Sequence, residues 1–83
     1  MRFKAEIDIM PHQELSDPQG RTVTNNMKNL HIHGVEEIRI GKHISMTLEA
    51  ETEEEATEKV DTACKKLLAN AIVETYTFQL SEV

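Results

Sequence analysis

Residues 2–10 alternate without a break: Phe3, Ala5, Ile7 and Ile9 fall on one side, and Arg2, Lys4, Glu6 and Asp8 on the other. Successive side chains of a strand point to opposite faces, so this stretch specifies a half-buried strand. The same period returns near the far end, where Tyr76, Phe78 and Leu80 alternate with Thr75, Thr77 and Gln79. Between these two strands the spacing of apolar residues changes twice to a helical one. In a chain of 83 residues that leaves room for one domain, 1–83, with a single small core.

Pro11 ends the first strand, because proline cannot donate to a ladder, and residues 11–17 read as a loop. Asp17-Pro18 then starts a helix: Asp is a favoured N-cap, and Pro suits the first helical position, where its missing N–H had no partner anyway. Val23, Met27 and Leu30 form a narrow stripe, and Gly20, Asn25, Asn26 and Asn29 are weak helix formers, so this helix needs tertiary support. Gly34 is the expected stop. Glu51 to Glu55 opens a second helix, with Thr52 and Glu55 at capping-box spacing and the acids where the helix dipole favours them. Its stripe is expected to be Ala56, Val60, Ala63 and Leu67. Lys65 and Lys66 lie near its C-terminal end, and Asn70 takes the left-handed position beyond it.

Val35 to Ala50 reads as two strands meeting near Gly41-Lys42, with Ile38 and Ile40 on one and Ile44, Met46, Leu48 and Ala50 on the other. A two-residue turn would oppose Ile40 to His43 and send the two apolar sets to opposite faces. A three-residue loop, Gly41-Lys42-His43, or a bulge opposes Ile40 to Ile44 and Ile38 to Met46, so an odd loop is expected. The element order strand–helix–strand–strand–helix–strand gives an α+β fold of ferredoxin-like β-α-β-β-α-β type. That is an antiparallel four-stranded sheet with both helices on one face, the first and third strands central and the second and fourth at the edges. The opposite face carries Lys4, Glu6, Asp8, Arg39, Ser45, Thr47, Glu49, Thr75, Thr77 and Gln79. It is either solvated or a wet subunit contact, and open edge strands with a small core favour a homo-oligomer.

Fifteen acids against nine bases leave a formal net charge of −6, which argues against nucleic acid binding. The three aromatic residues, Phe3, Tyr76 and Phe78, sit at apolar strand positions and offer no stacking platform. No apolar run approaches the roughly 20 residues of a membrane span, and the alternating N-terminus reads as a strand and not as a signal peptide. One Cys excludes a disulfide within the chain and a multi-cysteine zinc site; Cys64, mid-helix, reads as a small core residue of a reducing cytosol.

No catalytic constellation emerges. His31 and His33, with His12 or His43 as a third ligand, lack the converging geometry a metal site needs and read as solvated loop residues. Asp17-Pro18-Gln19-Gly20 resembles an anion-binding helix start, but the Asp17 carboxylate already occupies the free N–H groups. Ile40-Gly41-Lys42 has none of the further glycines of a phosphate loop and no helix after it. Glu53, Glu54 and Glu55 read as a solvated first turn. No pair of groups is set up for general acid–base work.

Taken together and in order, Asp17-Pro18-Gln19-Gly20, Ile38-Arg39-Ile40-Gly41-Lys42 and Leu68-Ala69-Asn70, with Ile72-Val73-Glu74 and Tyr76 after them, carry a resemblance. Over nearly its whole length the chain resembles the PurS subunit family of phosphoribosylformylglycinamidine synthase. It departs from the family pattern before Asp17 and at Ala71, both in connections. The resemblance implies a cytoplasmic, non-catalytic subunit of an ATP-dependent, glutamine-using C–N ligase of purine biosynthesis. Such a subunit bridges the glutaminase subunit (PurQ) and the synthetase subunit (PurL) and supports ammonia transfer between them. ATP, Mg and glutamine are then used by the partners, this chain holds no cofactor or metal, and it forms a homodimer or homotetramer. Asp17, Pro18, Gln19, Gly20, Arg39, Gly41 and Lys42 are the candidate motif or partner-contact residues. The competing reading is a small-molecule sensor of the ACT type, with the same element order; such modules often carry a glycine-rich first loop, and residues 10–20 hold one glycine, at position 20. A soft-metal carrier on this fold would need two cysteines near that loop.

Overall fold

The alternating strand of residues 2–10 is the centre of the molecule. In a computed structural model, which describes residues 1–15 and 17–83, β1 (Arg2–Pro11) lies between β2 (Lys42–Glu49) and β3 (Glu74–Glu82), both antiparallel to it. Ser16, part of the expected loop, lies outside the described residues. Phe3, Ala5, Ile7 and Ile9 are all buried. The registers set Phe3 opposite Leu48, Ala5 opposite Met46 and Leu80, Ile7 opposite Ile44 and Phe78, and Ile9 opposite Tyr76. One apolar face therefore runs across all three strands, as period-2 patterning demands.

α2 (Glu53–Ala63) covers that face and packs on β1. Thr52 caps it by accepting from the Glu55 N–H at 3.1 Å, while the Glu55 carboxylate turns back to the N–H of Glu51, one residue before the cap. Ala56, Val60 and Cys64 point into the core. The expected stripe fails at its end. A π turn over Cys64–Leu68, closed by the Ala69 N–H to the Cys64 carbonyl, inserts one residue and rotates the positions beyond it. Leu67 is left 81% exposed, and Leu68 packs on the core in its place. Asn70 does not take the left-handed position: Ala69 is extended, and the Asn70 side chain accepts from the Ile72 N–H, forming an Asx turn into β3. Tyr76 fastens this end to the sheet by donating to Asp61 at 2.6 Å, and that bond pushes its phenol up to about 12.

The first helix behaves differently. α1 (Pro18–Met27) runs into a short 3-10 turn, Lys28–Leu30, and stops at His31, which adopts the left-handed conformation earlier than the expected stop at Gly34. Only Gly20 of α1 is buried, and Leu30, expected in its stripe, is 64% exposed. α1 does not join α2 in closing the apolar face. The radius of gyration, 16.5 Å, exceeds the roughly 12 Å of a compact chain of this length. With a long axis of 51 Å, the molecule is a small core carrying an arm, residues 17–41.

The four-stranded expectation is corrected on the same ground. Residues 35–40 form no strand among the described residues, and the sheet has three. Its order, β2-β1-β3, is that of a ferredoxin-like sheet without its second strand. Neither form of the Gly41-Lys42 hairpin exists, because the segment before Gly41 is bonded to α1 instead of to β2.

Candidate functional site

Two backbone N–H groups of the extended segment, at Ile38 and Ile40, would have fed a sheet ladder. Side chains from the start of α1 and its cap take both. Asp17, the N-cap, accepts the Gly20 N–H with Oδ1 at 3.0 Å and the Ile40 N–H with Oδ2 at 2.8 Å. Thr24, further along the helix, donates to the Gly20 carbonyl at 2.7 Å and accepts from the Ile38 N–H at 2.9 Å. α1 thus replaces a neighbouring strand for this segment. The Gly20 and Ile40 N–H groups, in that order, and the nearby Arg39 charge hold the Asp17 carboxyl below its usual range.

The glycines allow the close approach. A methyl group on Gly20 would collide with the Ile38 carbonyl oxygen, and one on Gly41 with the Ile9 carbonyl and the Met10 sulfur. Arg39 is not on the polar face of the sheet, as its strand parity implied. It turns inward and donates through Nη2 to the carbonyls of Pro11 at 2.6 Å and His12 at 2.9 Å, tying the segment to the end of β1. Lys42, the first residue of β2, stands 3.9 Å from Glu74. Asp17, Gly20, Arg39 and Gly41 are therefore joined in one buckle. Pro18, Gln19 and Lys42 sit exposed on its rim.

The buckle separates two shallow clefts, one of about 420 Å³ beside Arg21 and Glu37 and one of about 360 Å³ beside Pro18 and Lys42. A larger cleft, of about 620 Å³, lies between α2 and β3; carboxylates such as Glu54 and Glu58 line it, and none of the motif residues does. Among the described residues no three His, Cys, Asp or Glu side chains are grouped to hold a metal ion. Nor, among them, is any helix long and apolar enough to cross a membrane. Cys64 is buried, and burial pushes its thiol up, away from a reactive thiolate.

Two features escaped the sequence reading. Thr24 gave no signal beyond a threonine inside a helix. His43, read as a loop residue, is in β2 directly opposite Asp8 and bonds to both Asp8 and Glu6; only the strand register reveals that meeting.

The arrangement has close counterparts. The model of the PurS family of phosphoribosylformylglycinamidine (FGAM) synthase matches residues 4–82. The chain belongs to the PurS family. It is 43% identical over 79 residues to the PurS subunit of FGAM synthase from Synechocystis, covering 95% of this chain and 79% of that protein. In three dimensions it matches a chain of the PurLQS structure from Thermotoga maritima with a TM-score of 0.90 and 34% identity, over 98% of this chain and 99% of that one. PurS from Thermus thermophilus matches with a TM-score of 0.85 and 39% identity, over 100% and 99% of the two chains. Membership in the PurS family assigns the chain to FGAM synthase, an enzyme of purine biosynthesis.

Proposed function

We propose that the chain is the non-catalytic bridge of its synthase, joining the glutaminase subunit PurQ to the synthetase subunit PurL and supporting ammonia transfer between them. The observation that carries this reading is the use made of the motif residues. Asp17, Gly20, Arg39 and Gly41 make internal hydrogen bonds and close backbone approaches, which is the work of residues that shape a surface. The rim residues Pro18, Gln19 and Lys42 are the partner contacts. The related PurLQS assembly supports the choice of partners. ATP, Mg and glutamine belong to those partners, and the assembly works in the cytoplasm, where the free thiol of Cys64 stays reduced. The chain works as a homo-oligomer, since the arm leaves apolar surface on α1 and on the sheet without a cover.

Reconstitution tests the bridge. Adding the chain to its glutaminase and synthetase subunits is expected to raise glutamine-dependent synthesis far more than ammonia-dependent synthesis. Equal stimulation of both would mean that it activates the synthetase directly.

A further inference from the structure

We propose that His43 is a proton-operated anchor that fixes the root of the arm to the sheet, so that the arm is held firmly in the protonated form and loosened in the neutral one. The ladder between β1 and β2 ends at the Ile9–Lys42 pair, and beyond Lys42 the chain leaves the sheet for the arm. His43 is the next residue in from that exit. Its Nδ1 lies 2.7 Å from Asp8 Oδ1, and its Nε2 meets the Glu6 carboxylate. Two carboxylates on opposite sides of one ring need two N–H donors. A neutral imidazole has one N–H and one lone pair, so it would present the lone pair to one of the anions. Only the imidazolium satisfies both.

The surroundings leave this proton little competition. On β1, Lys4 sits 3.3 Å from Glu6 Oε1, and Glu6 and Asp8 are the anions themselves. On β2, Ser45 donates to Glu6 at 3.1 Å, and Lys42 belongs to the opposite face, near Glu74. On β3, Thr77 and Gln79 stand opposite Asp8 and Glu6 and carry no charge. α2 packs on the other face of the sheet. With His43 charged, two anions meet two cations; with it neutral, Asp8 loses the counter-charge beside it. Asp8 first and Glu6 second raise the His43 imidazole above its usual range, and His43 in turn holds Glu6 below its own.

The sign comes from both shifts. A raised histidine contributes fully below the ordinary imidazole value of about 6.5, and its contribution is lost as pH rises through the higher folded value. The depressed Glu6 contributes above the ordinary value of about 4.3 and is lost only as pH falls through its lower folded value. The anchor is therefore closed in mildly acid solution and opens on the alkaline side.

The test is a pH titration of the full chain by NMR, following the His43 ring, assigned by its absence in His43→Gln, together with the amides of Ile40, Gly41 and Lys42. The His43 midpoint is expected above that of a histidine in an unstructured peptide, and the three amides are expected to move with the same midpoint. The double variant Glu6→Gln/Asp8→Asn changes two side chains of the polar sheet face, Glu6 half-buried and Asp8 exposed, and keeps the core intact. It is expected to return the ring to the ordinary midpoint and to abolish the response of the amides. A His43 midpoint at or below the ordinary value overturns the proposal. So does an amide response that persists in the double variant, or arm amides that ignore the His43 titration.

Discussion

A methyl group added to Gly20 has nowhere to go. The nearest atom is a backbone carbonyl on the segment that Asp17 and Thr24 hold in place, so relief requires the arm to part from α1. Gly20→Ala is expected to destabilise the chain by about 1–3 kcal/mol, the usual cost of overpacking. Chemical denaturation with circular dichroism measures it. Gln19, its neighbour, is exposed, and Gln19→Arg is expected to leave that midpoint unchanged while lowering glutamine-dependent synthesis in the reconstituted enzyme. Adjacent residues of one motif thus separate: one builds the surface and the other presents it. A Gln19→Arg protein that is fully active would remove Gln19 from the contact.

At the scale of the element, α2 shows how one extra residue redirects a helix. The spacing Ala56, Val60, Ala63, Leu67 is a sound stripe for an uninterrupted α-helix, but the π turn at Cys64–Leu68 shifts the phase before the stripe ends. Leu68 instead of Leu67 then packs against the core, as Tyr76 and Phe78 do from β3. Leu67→Ser is expected to change stability by less than about 0.5 kcal/mol, as exposed positions do. Leu68→Ala is expected to cost about 2 kcal/mol, near the lower limit for a buried leucine because Leu68 is only half-buried. Thermal unfolding of the two variants side by side decides it. The reverse order would restore the regular stripe. α1 lacks any comparable burial: its only fully buried residue has no side chain, and hydrogen bonds to residues 38–40 hold it where packing does not.

For the whole molecule, shape is the decisive property. The core is drawn from β1, α2 and the joints at Ala50 and Ala69, while Ile44, Met46 and Leu48 on β2 are only partly covered. α1 holds Val23 and Met27 half-exposed at the other end of an elongated particle. A chain that leaves apolar surfaces uncovered gains by association. Sedimentation equilibrium is therefore expected to give a mass above that of one 9.5 kDa chain. Met27→Asp is expected to shift the particle toward the monomer, without lowering the helical signal of α2. A wild-type chain that stays monomeric at high concentration would remove the oligomer from the proposed bridge.

Much of this protein is determined by short-range pattern. Alternation gives β1 and β3, Asp17-Pro18 gives the start of α1, and Thr52 with Glu55 gives the start of α2, because each signal acts within a few residues along the chain. The motifs that mark the family are legible in the same way, as residues in order. The tertiary structure decided the rest, through contacts between distant residues. Ile38 and Ile40 have the parity of a strand, yet side chains 14 and 23 residues away claim their N–H groups and keep them from the sheet. Arg39 reaches carbonyls 28 and 27 residues back, and His43 finds its two carboxylates 35 and 37 residues back. A strand needs a partner edge, and a hydrogen-bond donor goes to whichever acceptor the fold brings within reach. Local periodicity describes what a segment can do; which of its donors are already engaged is a property of the assembled chain.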